Sequence, residues 1–159
     1  MIKFKKIKWK NFLSTGDHWT EIDFLEKNTN LIIGHNGSGK STLLDALTFV
    51  LFNKPFRKIN KTQLINTVNE KDCLVELEFD VNAREYVVRR GMKPTVFDIE
   101  VNGSPLHRQG DDRSNQKILE ENILKVNYKS FTQIVILGSS TFVPFMQLSS
   151  SVRRDVIED

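Results

Sequence analysis

The residues with the most chemical content are Gly34-His35-Asn36-Gly37-Ser38-Gly39-Lys40-Ser41-Thr42, where glycines, lysine and hydroxyl fall at the spacing G-x-x-x-x-G-K-[ST] of the Walker A phosphate loop. That spacing suits a polyphosphate. Its oxygens need converging backbone N–H donors, glycines let the chain bend around them without Cβ clashes, and a following helix adds the partial positive charge of its N-terminus. Lys40 offers a point charge to the β and γ phosphates and to the transition state, and the Ser41 hydroxyl can hold Mg²⁺. A nucleotide with Mg²⁺ is therefore expected, held by residues 34–42. His35 occupies a free position of the motif and reads as a partly exposed loop residue, without a catalytic role.

Such a loop works only between a strand and a helix. Leu31-Ile32-Ile33, after the turn Asn28-Thr29-Asn30, is an apolar run that predicts a strand covered on both faces. Leu43, Leu44, Leu47, Val50 and Leu51 then recur at helical spacing up to Phe52, where Asn53-Lys54-Pro55 stops the helix. Upstream, Ile2, Phe4, Ile7 and Trp9 predict a strand with a one-residue phase slip, hence a bulge; Lys3, Lys5, Lys6, Lys8 and Lys10 read as the polar face of an edge strand. Residues 20–24 predict a second short strand.

Downstream, residues 73–81 alternate without a fault, with Cys73, Val75, Leu77, Phe79 and Val81 facing inward. Residues 85–90 and 95–101 follow as neighbouring strands, and Asn102-Gly103 is a hairpin turn. Past a polar loop at 109–113, Ser114 is the expected N-cap of a helix reaching Val126, with Tyr128 and Phe131 on one further turn. Residues 134–137 predict a second apolar strand, and Ser149-Ser150-Ser151 opens a charged helix over 152–159. The architecture expected is an α/β P-loop NTPase: a mixed core sheet containing residues 31–33 and 134–137, flanked by the 40–52 helix, with an antiparallel β layer from 1–24 and 73–101.

With 159 residues the chain has one domain's worth of material, and its single cysteine, Cys73, with three histidines excludes an internal disulfide and a four-ligand zinc site. No apolar run approaches the roughly 20 residues of a membrane span, and the N-terminus lacks a signal peptide's apolar stretch, so a cytoplasmic protein is expected. The net charge of +3 is uneven: residues 1–61 carry +6 and the remainder −3. Within that basic third, Lys54, Arg57, Lys58 and Lys61 are candidate contacts to DNA phosphates. Trp9 and Trp19 read as core or sheet-face residues, Cys73 as a small buried hydrophobe, and Asp45 as making a structural bond.

Hydrolysis needs more than a cradle. It requires a carboxylate to hold Mg²⁺ or its water and another to orient the attacking water. No apolar strand ending in Asp or Asp-Glu occurs in this chain. Half of an ATPase is present.

The segments around the phosphate loop resemble a known family. Residues 34–47 with Asn30-Leu31-Ile32-Ile33 before them, and Ile7-Lys8-Trp9-Lys10-Asn11-Phe12, are similar to the N-terminal lobe of the SbcC/SMC-like DNA-repair ATPases. Lys54-Pro55-Phe56-Arg57, Gln63-Leu64-Ile65-Asn66, residues 96–103, Pro144-Phe145-Met146, Leu148-Ser149 and Arg153-Arg154 most resemble the SbcC-like recombination subunits of T4-type phages. The resemblance implies an ABC-type ATPase head split into two lobes, of which 1–148 is the first and 149–159 the start of a coiled coil leading to a zinc hook. It implies a C-terminal ATPase lobe bearing the catalytic acids, a homodimer of heads closed by Mg-ATP, double-stranded DNA, and a metallophosphoesterase (SbcD-like) exo/endonuclease partner, in a host cytoplasm if phage-encoded. Two positions depart from the family: Leu13 stands where relatives carry a nucleotide-contacting Arg, leaving Lys10 or the Ser14 backbone, and the metal-contacting Gln is replaced by Ser139 or supplied by Gln133. The alternative function is an SMC/RecF-like ATP-switched DNA clamp without a nuclease; an ABC transporter subunit is disfavoured, because its acidic strand should follow directly.

Overall fold

The computed structural model describes residues 1–27, 29–106, 111–136 and 149–158. Its frame is a six-stranded sheet, antiparallel at every pairing. The strands are β1 (Ile2–Lys10), β2 (Thr20–Asp23), β3 (Cys73–Val81), β4 (Arg84–Met92), β5 (Val96–Val101) and β6 (Ser104–Pro105), in the spatial order β2-β1-β3-β4-β5-β6. The expected bulge is present where the β1–β3 register shifts between Phe4 and Lys6. Alternation in β3 buries Cys73, Val75, Leu77, Phe79 and Val81 on one face. The hairpin turn has both Asn102 and Gly103 at positive φ, the conformation that Asn-Gly favours.

β1 is not an edge strand: it lies between β2 and β3. Its lysines therefore meet cross-strand acids. Lys6 reaches Glu21 at 3.1 Å, Lys8 reaches Glu76 at 2.8 Å and Lys5 reaches Glu85 at 2.7 Å. Arg89 continues the row by joining Glu76 to Glu100. Burial alone would raise the Glu76 carboxyl, but hydrogen bonds and charge from Lys8 and Arg89 outweigh it and hold it below the usual glutamate range.

Against the apolar face packs α1 (Thr42–Phe52), nearly all of whose residues are buried, as befits a helix apolar around its circumference. It stops where Asn53 turns left-handed at φ 58° and donates its N–H to Phe49 O. Next come a 3₁₀ turn (Lys61–Leu64), α2 (Asp112–Lys117) running into a π-helical stretch (Ile118–Leu124), α3 (Tyr128–Ile134) and α4 (Ser150–Glu158). Phe131 of α3 contacts Phe52 and Phe4, with ring centroids 5.1 and 6.3 Å away. Cys73 is free and buried, and burial pushes its thiol up to about 12, so it is inert packing.

Several expectations are corrected. Residues 31–33 are not strand: Leu31 and Ile33 are 82% and 83% exposed, because among the described residues no strand forms a ladder with them. Residues 134–136 are not strand either. Asn127 caps α3 by accepting the Ser130 N–H, and the N–H groups of Val135 and Ile136 return to Phe131 O, leaving none for a ladder. The N-cap of α2 is Asp111, whose side chain accepts from Ser114 N and Oγ at 3.0 Å; Ser114 is the residue capped. The helical path ends at Leu124, where Lys125 turns left-handed, ahead of Val126. Positions 107–110 and 137–148, including Ser139 and the Pro144-Phe145-Met146 motif, lie outside the described residues. No helix among the described residues is long and apolar enough to cross a membrane.

Candidate nucleotide site

The phosphate loop runs from Gly34 into α1 through Ser41, which stands at the helix N-cap position. Gly37 and Gly39 hold φ of 85° and 90°, the left-handed region where a side chain is strained. A Cβ on Gly39 would press within 3.4 Å of Thr42 Oγ1, and one on Gly34 would collide with Ser38 Oγ. Glycine is thus favoured by conformation at Gly39, whereas at Gly34 a side chain would oblige the Ser38 hydroxyl to turn away. Lys40 folds back along the loop: its Nζ donates to Gly34 O and, at 2.7 Å, to His35 O. His35 takes part through this carbonyl.

A cleft of about 610 Å³ opens beside the loop. Asn36, Gly37, Gly39, Lys40, Ser41 and Thr42 line one wall; Leu13 and Ser14 come from the turn after β1, and Arg57, Gln63, Ile65 and Thr67 from the segment after α1. These walls are tied together. Leu13 N donates to Leu64 O at 2.7 Å, Asn66 Nδ2 to Leu13 O at 2.9 Å and Asn66 N to Asn11 O at 2.9 Å. Asn69 Nδ2 donates to Asn11 Oδ1 at 2.6 Å, so a buried asparagine network fixes the separation of the two lips.

Asp45, fully buried on α1, holds the remaining side. Its Oδ1 accepts the N–H groups of Phe56 and Arg57, and its Oδ2 accepts the Arg57 Nε–H. Arg57, a DNA candidate by sequence, consequently lies in this cleft. Lys54 and Lys61 line a different one, and Lys58 is exposed beside neither. Ser14 lines the cleft while Lys10 pairs with Asp17 at 3.6 Å, which separates the two stand-ins for the missing arginine. Gln133 does not line the cleft, and its Oε1 is buried with no hydrogen-bond partner among the described residues. Trp9 is core, donating to Thr15 Oγ1 at 3.1 Å; Trp19 is half-exposed under the Lys8 and Lys10 ammonium groups.

Asn11, Gln63 and Asn66 fall within the segments that resemble the family, whereas Thr67 and Asn69 carry no signal in the sequence. Among the described residues no cluster of three or more His, Cys, Asp or Glu side chains could hold a metal. The glycine conformations, the room beside them, Lys40 and the Ser41 hydroxyl nevertheless fit a Mg²⁺-nucleotide.

Comparison with known proteins gives the family. Residues 6–158 match the AAA domain family. The chain is 43% identical to exonuclease subunit 2 of Enterobacteria phage T4 over 157 residues, which is 99% of this chain and 28% of that protein. It is 29% identical to a DNA double-strand break repair Rad50 ATPase of Thermoplasma volcanium, over 98% of this chain and 17% of that one. It thus spans less than a third of the curated relatives it matches. A solved structure, described in a study of ATP-driven dimerization and DNA stimulated activation of SMC ATPases, superposes with TM-score 0.61 over 98% of each chain at 23% identity, a likeness of fold. A phosphate loop on an antiparallel layer and a match along nearly the whole length lead to one conclusion: the chain belongs to the AAA domain family, as a relative of the SbcC- and SMC-like DNA-repair ATPases.

Proposed function

We propose that this chain is the ATP-binding lobe of a DNA double-strand-break repair or recombination ATPase, completed by a C-terminal lobe carrying the catalytic acids. Residues 1–148 form the lobe and 149–159 the root of a coiled coil. Two completed heads dimerise on Mg-ATP, engage double-stranded DNA and control an exo/endonuclease partner. The observation that carries this reading is Lys40 poised over the loop carbonyls at the mouth of a nucleotide-sized cleft. Leu31, Ile33, Ile134 and Val135 add support: they are exposed large apolar side chains, which contact with a second lobe would bury.

In this reading Lys40 would meet the phosphate oxygens and the Ser41 hydroxyl would hold Mg²⁺. ATP supplies the anhydride whose cleavage drives the heads. Arg57 presents positive charge from the opposite wall, and Asp45 fixes where it points. The adenine side falls to Leu13, Ile65 and the asparagine-braced lips.

Calorimetry of the chain with Mg-ATP, alone and with the C-terminal lobe added, tests the proposal. Saturable binding and nucleotide-dependent head dimerisation are expected, both lost in Lys40→Ala; tight ATP binding by that variant would refute the assignment. Capture of a nuclease subunit by the full-length protein separates this reading from a clamp that works without one.

A further inference from the structure

A second cleft, of about 400 Å³, opens where the end of α1 meets β4, β5 and the start of α2, and it shares no lining residue with the nucleotide cleft. Its most unusual component is Arg90, only 4% exposed. The guanidinium lies 3.7 Å over the Phe97 ring, donates from Nε to Val50 O at 3.0 Å, and from Nη2 to Gln116 Oε1 at 2.6 Å. Both acceptors are neutral, and among the described residues no carboxylate forms an ion pair with it.

Part of this arrangement is explained by helix capping. Arg90 covers Val50 O, and Gln116 Nε2 covers Leu51 O at 2.9 Å, so the last carbonyls of α1 are satisfied. A helix C-terminus, however, carries only about half a negative charge against the full charge of a guanidinium. The imbalance is visible in Arg90 itself, which burial pushes down to about 10 although Asp112 and Glu120 pull the other way from beyond ion-pair distance. A neutral cap such as glutamine would satisfy the same carbonyls without burying a charge, so capping alone does not account for an arginine.

The remaining lining adds charge of the same sign. Lys54, Lys61 and Arg113 are exposed along the cleft with Arg90, against two carboxylates, Asp112 and Glu120. Glu120 is already engaged by Gln116 Nε2 at 2.6 Å. Lys54 stands 5.4 Å over the Tyr128 ring and Lys61 donates to Asn53 Oδ1, and among the described residues no carboxylate pairs with either. The volume is far above the ~30 Å³ of one water, leaving room for a hydrated anion.

We propose that this cleft binds a phosphate group, with Arg90 as its buried anchor and Lys54, Lys61 and Arg113 as its accessible cations. Phosphate oxygens would supply the negative charge that the pocket lacks, and a planar guanidinium already oriented by Phe97, Val50 and Gln116 loses little freedom in meeting them. The group can come from a DNA backbone or from free phosphate. The site stands on its own geometry and does not depend on nucleotide occupying the first cleft.

The test uses the 159-residue chain carrying Lys40→Ala, which removes the phosphate loop's own lysine from the signal. ¹H–¹⁵N spectra are followed while sodium phosphate, or in a second arm a short DNA duplex, is added against sodium chloride at matched ionic strength. A saturable movement of the Arg90 Nε–H and Val96 amide resonances is expected, abolished by the combined Lys54→Gln, Lys61→Gln and Arg113→Gln changes at exposed positions. Movement in the DNA arm identifies the backbone as the source, with the log–log salt slope of binding falling by about 2 in the Lys54→Gln/Lys61→Gln variant, about 1 per lysine. Movement with phosphate alone identifies a free anion. No movement beyond the chloride control in either arm, or one that the triple variant preserves, overturns the proposal.

Discussion

Asp45 and Arg57 are joined side on: Oδ2 takes the Arg57 Nε–H at 2.6 Å, while Oδ1 takes the Phe56 and Arg57 backbone N–H groups at 3.0 and 3.1 Å. One buried carboxylate therefore binds the segment after α1 to the helix whose N-terminus closes the phosphate loop. Asp45→Ala leaves two backbone donors without a partner and should cost about 2 kcal/mol, read as a lower urea midpoint. Asp45→Asn retains an acceptor for the backbone but not the charge facing Arg57. Its midpoint should fall less, while nucleotide affinity still drops; an Asn variant that binds nucleotide like the parent would dissociate Arg57 from the site.

At Gly39 conformation and proximity act together. With φ at 90° and Thr42 Oγ1 beside the missing Cβ, Gly39→Ala should strain the loop by about 1–2 kcal/mol. Because the loop is exposed and lies outside the core, thermal stability should change little while Mg-ATP affinity collapses. Equal losses in both would mean that the loop is part of the folding core.

The row Lys8–Glu76–Arg89–Glu100 makes a pH prediction. Glu76 is held below its ordinary value of about 4.3, so its stabilising contribution is complete above that pH and is lost as pH falls through the lower folded value. Glu76→Gln should lower stability at pH 7 and flatten the decline below pH 4, because the titrating group is gone. Urea midpoints at neutral and acid pH measure both effects, and an unchanged acid limb would assign the decline to other carboxylates.

Gly91 lies on β4 opposite Leu74 of β3. A Cβ there would stand 2.8 Å from Cys73 O and 3.1 Å from Leu74 Cδ1. Since a backbone oxygen cannot swing aside, Gly91→Ala should cost about 1–3 kcal/mol, seen as a lower thermal midpoint by circular dichroism. Gly103→Ala, with nothing near its Cβ, serves as the contrast in which only turn strain is added.

What could be read from sequence divides along physical lines. Local signals succeeded: the β3 alternation, the Asn102-Gly103 turn, the β1 phase slip and the stop at Asn53 each depend on a few adjacent residues. The glycine-bearing turn that leads into α1 was legible for the same reason. Apolar runs without periodicity failed, since Leu31-Ile32-Ile33 and residues 134–136 can be strand only if a neighbour accepts their hydrogen bonds, which no short window reveals. The Asn11–Asn66–Asn69 bracing joins positions far apart in the chain, and the place of Arg57 in the cleft beside the loop depends on its bond to Asp45, twelve residues earlier.

The position of Lys40 has a kinetic consequence. With its ammonium bridging the Gly34 and His35 carbonyls, the loop's curvature is held by one of its own side chains. An incoming nucleotide has only to displace a side chain from two local acceptors. Its arrival should be a single fast phase limited by encounter, and any slow relaxation in a mixing experiment would belong to a later rearrangement elsewhere in the assembly.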